Sequence, residues 1–255
     1  MLKINKNYRE IKIRKFHLIR KIHFIIYNIF FKLNKIKMNT FLYLQQYSRP
    51  SDYFMKSLQN FSYLLSYIFR NNKKLKNKTI HLGNIILDSR RTMSFFSFID
   101  SVYGLKQNIN QNNLTTKKLN RNVYLSSLIE NIFENIDFLI GKNIIKGNQK
   151  LFTRTFCALW VGNISTILMR NCFELKQINE NKEIKDDEKK EAKKMKIIEI
   201  GSYICDLPCA IAGTKLLPQL IGKNFNSGII GLTGLIAGTS RYYLYFLRNK
   251  KNMNV

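Results

Sequence analysis

The feature that most limits what this chain can fold into is an uncharged run near its C-terminus, Asn224 to Ser240. Within it Ser227, Gly231, Gly234 and Gly238 recur at steps of four, three and four, which lines one face of a helix with the smallest residues. In water each such glycine weakens a helix by about 1 kcal/mol relative to alanine. In a bilayer small faces let helices approach closely, and glycine is correspondingly common there. The run is preceded by Gly201 to Pro208 and followed by the aromatic stretch Tyr242 to Leu247, then Arg248, Lys250 and Lys251. This pattern predicts a membrane-embedded region over 197–248 that ends in a Gly-rich transmembrane or hairpin segment. Ser227, Gly228, Gly231, Gly234 and Gly238 form its helix-packing face, either within the hairpin or between protomers. Arg241 is the awkward residue: it must snorkel, face a partner or mark a shorter span.

Charge sharpens the choice of partner. The chain carries 43 Lys and Arg against 16 acids, a net charge of +27. Such a balance suits nucleic acid or an anionic lipid surface. The aromatics cluster on apolar faces and are not interleaved with cations as in a nucleic-acid groove, while the basic residues flank apolar runs. The reading is therefore an anionic lipid membrane and no nucleic acid. Cys157, Cys172, Cys205 and Cys209 lack paired metal-ligand spacing, and His17, His23 and His81 neighbour neither a nucleophile nor a carboxylate cluster. No triad, phosphate loop or dinucleotide fingerprint is present. The sequence thus argues against an enzyme and offers no catalytic, cofactor-binding or metal-binding residue.

Four regions follow along the chain. Residues 1–37 are a basic extension with 11 Lys or Arg and one acid, Glu10. Three readings of it stand open: a targeting segment, an interfacial helix, or upstream sequence ahead of a start at Met38. Residues 38–175 form an amphipathic helical region, 176–196 a charged linker with six acids and eight lysines, and 197–248 the membrane-embedded region. The fold class is all-α: a membrane-associated bundle of amphipathic helices.

Within the helical region, Phe54, Leu58, Phe61, Leu65 and Ile68 give a helical stripe over 51–70, capped by Ser51 or Asp52, with a thin polar face of Ser57, Asn60, Ser62 and Ser66. A second helix is expected from Ile80 to Leu105. There Arg90, Ser94, Ser97 and Ser101 make one narrow polar stripe, and Phe95, Phe96, Phe98, Ile99, Val102 and Tyr103 supply most of the rest. Such a helix either packs into a bundle or lies among headgroups. After an Asn-rich loop over 106–120, helical periodicity resumes over 124–140, and 151–173 is a borderline span.

Four segments, in order, resemble the peroxin-11 family of peroxisomal membrane proteins. They are Leu58 to Leu65, Leu87 to Arg91, Asn135 to Lys142, and Cys205 to Pro208 with Gly228, Gly231, Leu232, Gly234 and Ser240. The family's tryptophan in the third segment is replaced by Phe138 or Leu139. The resemblance implies a protein of the peroxisomal membrane that promotes its elongation, proliferation and fission. On this expectation the helix carrying Arg90, Arg91, Phe95, Phe96, Phe98, Ile99 and Tyr103 inserts into one leaflet, its arginines held at the headgroups. The protein self-associates as a homo-oligomer, and the fission machinery, a dynamin-related GTPase and its adaptor, is recruited. The alternative is a membrane pore for small metabolites, with Arg154, Arg170 and Arg241 lining an anion path.

Overall fold

The computed structural model describes residues 38–181, 185–215 and 225–253. The basic extension 1–37 and residues 182–184 of the linker lie outside them. The chain divides into two compact units, 1–47 and 48–255. Of the first, the described part is the opening of a helix; the second holds the remaining architecture.

Seven helices are described: α1 Met38–Ile68, α2 Lys73–Met93, α3 Phe98–Asn108, α4 Leu114–Gly141, α5 Gln149–Glu180, α6 Asp186–Thr214 and α7 Ser227–Met253. Asparagine starts three of them. The side chains of Asn72, Asn113 and Asn148 accept from the backbone N–H of Leu75, Thr116 and Leu151 at 3.1, 3.0 and 3.2 Å. Each satisfies a donor that the first turn leaves free. The Asn-rich segment expected as loop to residue 120 therefore gives way to helix at Leu114. Conversely, Ser51 and Asp52 do not cap: α1 runs on through Pro50, and the Asp52 carboxylate is used elsewhere.

The helix expected from Ile80 to Leu105 is two helices, broken at 94–97. No proline or glycine lies there. The Asn135 amide donates to the Phe95 carbonyl at 2.6 Å, while Ile99 N–H turns to Phe96 O at 3.0 Å. A carbonyl that would have continued the helix is taken by a neighbouring one.

Within residues 48–255, α1 packs antiparallel with α2, α3 with α4, and α4 to α7 each with the next, as short connections favour. Asp137 meets Thr153 and Ser126 meets Thr166 between α4 and α5. Asn171 meets Lys196 between α5 and α6. Glu199 meets Arg248 and Cys209 meets Ile230 between α6 and α7. Helix α7 also lies antiparallel along α1. A Cβ placed on Gly228, Gly231, Gly234 or Gly238 would run into Tyr67, Leu64, Asn60 or Ser57 respectively. The charged linker 176–196 divides between the end of α5 and the start of α6.

Candidate membrane interface

Helix α1 shows how the bundle is turned. The stripe Phe54, Phe61 and Ile68 is 48, 45 and 60% exposed, whereas Asn60, Ser62 and Ser66 are 5, 3 and 4% exposed. A helix in a water-soluble bundle buries the first set and solvates the second. The same reversal holds elsewhere. Leu82, Ile85, Met93 and Phe96 stand outward after α1, as do Ile197 and Ile204 on α6 and Ile229, Leu232, Ile236 and Phe246 on α7. The interior instead holds Lys56, Gln59, Glu130, Asp137, Asn163, Asn171, Glu199, Ser202 and Asp206. Helices α5 and α6 are long and apolar enough to cross a membrane, and only 28% of each apolar window is buried within the protein. The core helix of a soluble protein would be mostly covered. The glycine helix α7 is not one of these two.

Many of the interior polar groups are paired. Lys56 Nζ donates to both Asp206 oxygens at 2.6 Å, and Arg241 meets Asp206 Oδ2 at 2.5 Å. Arg241 also reaches Ser202 Oγ at 3.3 Å and lies over the Tyr203 ring, and Lys56 faces the Trp160 ring. Asp206, fully buried, thus joins α1, α6 and α7. Of the three fates open to Arg241 in the sequence, the structure takes the second: it faces a partner. Between α4 and α5, Asn163 donates to Glu130 and accepts from Ser126 and Ser127 at 2.9 and 3.0 Å. Burial, then the neighbouring Glu134, pushes the Glu130 carboxyl up to about 8; burial raises that of Glu134 as well.

The residues expected to insert into a leaflet separate in the structure. Arg90 is bound to Asp52 at 2.9 Å and to Gln59 at 2.7 Å, and Arg91 to Asp137 at 3.2 Å and Glu134 at 3.8 Å. These arginines hold α2 to α1 and α4 and are not extended toward headgroups. Ile99 is 2% exposed and belongs to the core. Phe95, Phe98 and Tyr103 are half-buried, and Phe96 alone of the group is exposed, edge-on to Phe95 at 5.3 Å. A single amphipathic stripe over 80–105 assumed an unbroken helix, and the break at 94–97 rotates its second half inward. The outward apolar face lies one helix earlier, on Leu75, Leu82, Ile85 and Met93, beside exposed Lys73, Lys74, Lys76 and Lys78. In the sequence this signal is the amphipathic period through 75–93, masked by the lysines at 73, 74, 76 and 78.

Of the helix-packing face, Gly228, Gly231, Gly234 and Gly238 are buried against α1, whereas Ser227 is exposed. Their neighbour is neither the hairpin partner α6 nor a second protomer. The arginines considered for an anion path are dispersed. Arg154 is exposed, Arg170 pairs with Glu174 at 3.5 Å, and Arg241 pairs with Asp206. Among the described residues no group of three His, Cys, Asp or Glu is placed to hold a metal ion.

The four segments that carry the family resemblance meet one another. Gln59 of the first binds Arg90 of the second; Arg91 and Asp88 of the second bind Asp137 and Lys142 of the third. Gly231 and Gly234 of the fourth lie on Leu64 and Asn60 of the first. These motifs are the contacts that assemble the bundle.

A helical bundle with ion pairs and amides inside and aliphatic side chains outside is built for lipid, where buried polar groups must find partners within the protein. This is a membrane protein. The chain belongs to the family of Peroxisomal biogenesis factor 11 (PEX11), whose profile matches residues 38–242. It is accordingly a peroxisomal membrane protein involved in peroxisome proliferation and fission. No curated protein and no solved structure matches the chain.

Proposed function

We propose that the protein deforms the peroxisomal membrane by seating the outward face of α2 and Phe96 in one leaflet while the remaining helices anchor the bundle. The observation that carries this reading is the reversal of polarity: Leu82, Ile85 and Phe96 are each 50% exposed on a fold whose polar groups are buried. An apolar face set ~5–10 Å into one leaflet expands it relative to the other and favours a tube. The exposed lysines at the start of α2 add attraction to anionic headgroups, at about 1 kcal/mol each.

The C-terminal end of α5, the N-terminal end of α6 and the C-terminal part of α7 share one end of the bundle, and all are rich in lysine or arginine. The opposite end carries lysines too, at 73, 74, 76, 78, 142 and 146, so charge alone does not orient the bundle; the long charged segment 176–196 favours the first end as the cytosolic one. From there the protein self-associates and recruits a dynamin-related GTPase through its adaptor, with no catalysis of its own. A pore is disfavoured, because Arg170 and Arg241 are each engaged by a carboxylate.

The test is reconstitution of the full chain into anionic liposomes. The wild-type protein draws tubules. Leu82→Glu with Ile85→Glu removes tubulation while the protein stays in the pellet on carbonate extraction. Unchanged tubulation by the double variant overturns the role given to α2.

A further inference from the structure

The charges in the middle of the bundle do not balance pair by pair. Arg90 is matched by Asp52. Arg91 is shared between Asp137 at 3.2 Å and Glu134 at 3.8 Å, one cation to two carboxylates. Asp206 carries the opposite excess, one carboxylate to two cations, with Lys56 Nζ at 2.6 Å and Arg241 at 2.5 Å. Glu130 is bonded to the amide of Asn163 and, among the described residues, to no cation. The cations Lys56, Arg90, Arg91 and Arg241 thus face one more carboxylate than their own number: Asp52, Glu130, Glu134, Asp137 and Asp206. Neutrality is reached with one proton on a carboxyl, and the buried Glu130, beside the like charge of Glu134, is the group placed to hold it.

The charges that act on Glu130 are Glu134 on its own helix, Lys56 on α1 and Arg241 on α7. Helix α5 presents Asn163 and the Cys157 thiol, α6 presents Asp206 behind Lys56, and α2 reaches Glu134 through Arg91. Helix α3 turns the apolar Ile99 inward, with Asp100 part-exposed beside it. Of the two cations on Asp206, Arg241 is fixed twice more, by Ser202 Oγ at 3.3 Å and by the Tyr203 ring at 4.1 Å. Lys56 lies instead over Trp160, 5.6 Å from the ring centre, and an ammonium on a flexible four-carbon stem re-aims more readily than a planar guanidinium. Trp160 and Asn163 are three residues apart on one face of α5, so the ring under Lys56 and the amide on Glu130 are neighbours. We infer that Lys56 is an exchangeable clasp. It holds Asp206 while Glu130 is protonated, and it crosses Trp160 to Glu130 once that proton has passed to water, leaving Arg241 on Asp206. The exchange unties α1 from α6 and ties it to α4, which makes the centre of the bundle a proton-sensitive switch. It concerns the interior and does not rest on the seating of α2 in a leaflet.

Trp160 is the only tryptophan of the chain, so its fluorescence reports the departure of Lys56 without a label. The emission of the full-length protein in detergent is followed from about pH 6 to about pH 9.5, below the ordinary range of tyrosine ionisation. The wild-type signal is expected to change in one step with a midpoint near the value of about 8 to which burial raises Glu130, while far-ultraviolet circular dichroism stays constant. Glu130→Gln loses the step. Lys56→Gln loses it as well, and still leaves Asp206 paired with Arg241. Glu134→Gln keeps the step and moves it to lower pH, because a like charge is gone. A wild type without the step overturns the switch, as does a step that survives in Glu130→Gln or stays at the same midpoint in Lys56→Gln. A step lost in Glu134→Gln but kept in Glu130→Gln assigns the proton to Glu134 and overturns it too. A change accompanied by loss of helix is unfolding and has the same consequence. Should Lys56→Gln fail to fold, the contrast between Glu130→Gln and Glu134→Gln decides.

Discussion

The glycine face of α7 and the outward face of α2 look alike in sequence, since both are uncharged stripes at helical spacing that suit a membrane. The structure gives them opposite tasks. The α7 stripe is covered by the backbone of α1, close enough that Gly231 faces Leu64 N with no room for a side chain. The α2 stripe is left uncovered by the described residues. Residue size separates them. Glycine offers a surface that another helix can approach but little area to bury, whereas Leu82 and Ile85 offer area and keep neighbours at a distance. Small stripes join helix to helix, and large ones are left at the surface.

The sharpest way to break this contrast is to enlarge the small stripe. A Cβ on Gly231 would lie 2.6 Å from Leu64 N, 2.9 Å from Leu64 Cα and 3.0 Å from Asn60 O, all backbone atoms of a helix. Gly231→Leu is expected to cost about 4 kcal/mol or to prevent assembly, because neither backbone can yield without moving a whole helix. Gly201 on α6 is the control, with nothing within 4 Å of its Cβ position. Gly201→Ala is expected to leave stability unchanged or raise it by up to about 1 kcal/mol through helix propensity. Thermal unfolding in detergent measures both. Equal tolerance at the two positions would mean that α7 does not lie on α1.

Next in size is the ionic counterpart of that contact. Asp206→Asn leaves Lys56 and Arg241 facing each other across α1 and α7 without a buried carboxylate between them. Removing one member of a buried ionic group costs about 3 kcal/mol, chiefly because the remaining charges stay desolvated. The exposed Lys142–Asp88 pair, at 2.6 Å but with both side chains more than 40% exposed, is the comparison. Its loss through Asp88→Asn is expected to change unfolding by less than about 1 kcal/mol. Similar shifts for the two variants would remove the central role of Asp206.

Much of this arrangement was legible in the sequence. The helical periods, the glycine steps and the four ordered segments located the elements and the family. The orientation of α1 was not, because an amphipathic stripe defines an axis and not a direction: Phe54–Phe61–Ile68 faces in or out according to the solvent. The break at 94–97 was hidden because its cause, Asn135 taking the Phe95 carbonyl, lies 40 residues away. The same holds for Lys56 and Asp206, 150 residues apart. Arg90 and Arg91 looked free at the level of sequence because their partners Asp52, Glu134 and Asp137 lie on other helices. A motif of charged residues in a membrane protein is as readily an internal clasp as a contact with headgroups.

The smallest effect concerns an interior carboxyl that has no cation. Glu130 lies between α4 and α5, hydrogen-bonded to Asn163, with its carboxyl raised from 4.5 to about 8 chiefly by burial. A folded-state value above the unfolded one means that the native protein holds the proton more tightly. Between the two values the native state therefore binds more protons than the unfolded state, and stability falls as pH rises. From pH 6 to pH 8 the decline attributable to this group is roughly 2 kcal/mol, and it levels off above about pH 8 once both states are ionised. Glu130→Gln keeps an amide of similar shape and cannot ionise. Its unfolding curve is expected to be flatter over that window, with the gain over wild type growing toward pH 8. A variant that tracks the wild type at every pH would show that Glu130 is already ionised in the bundle. The polar interior would then carry another charge beside Asp206, and its pairing would have to be sought among Lys56 and Arg241.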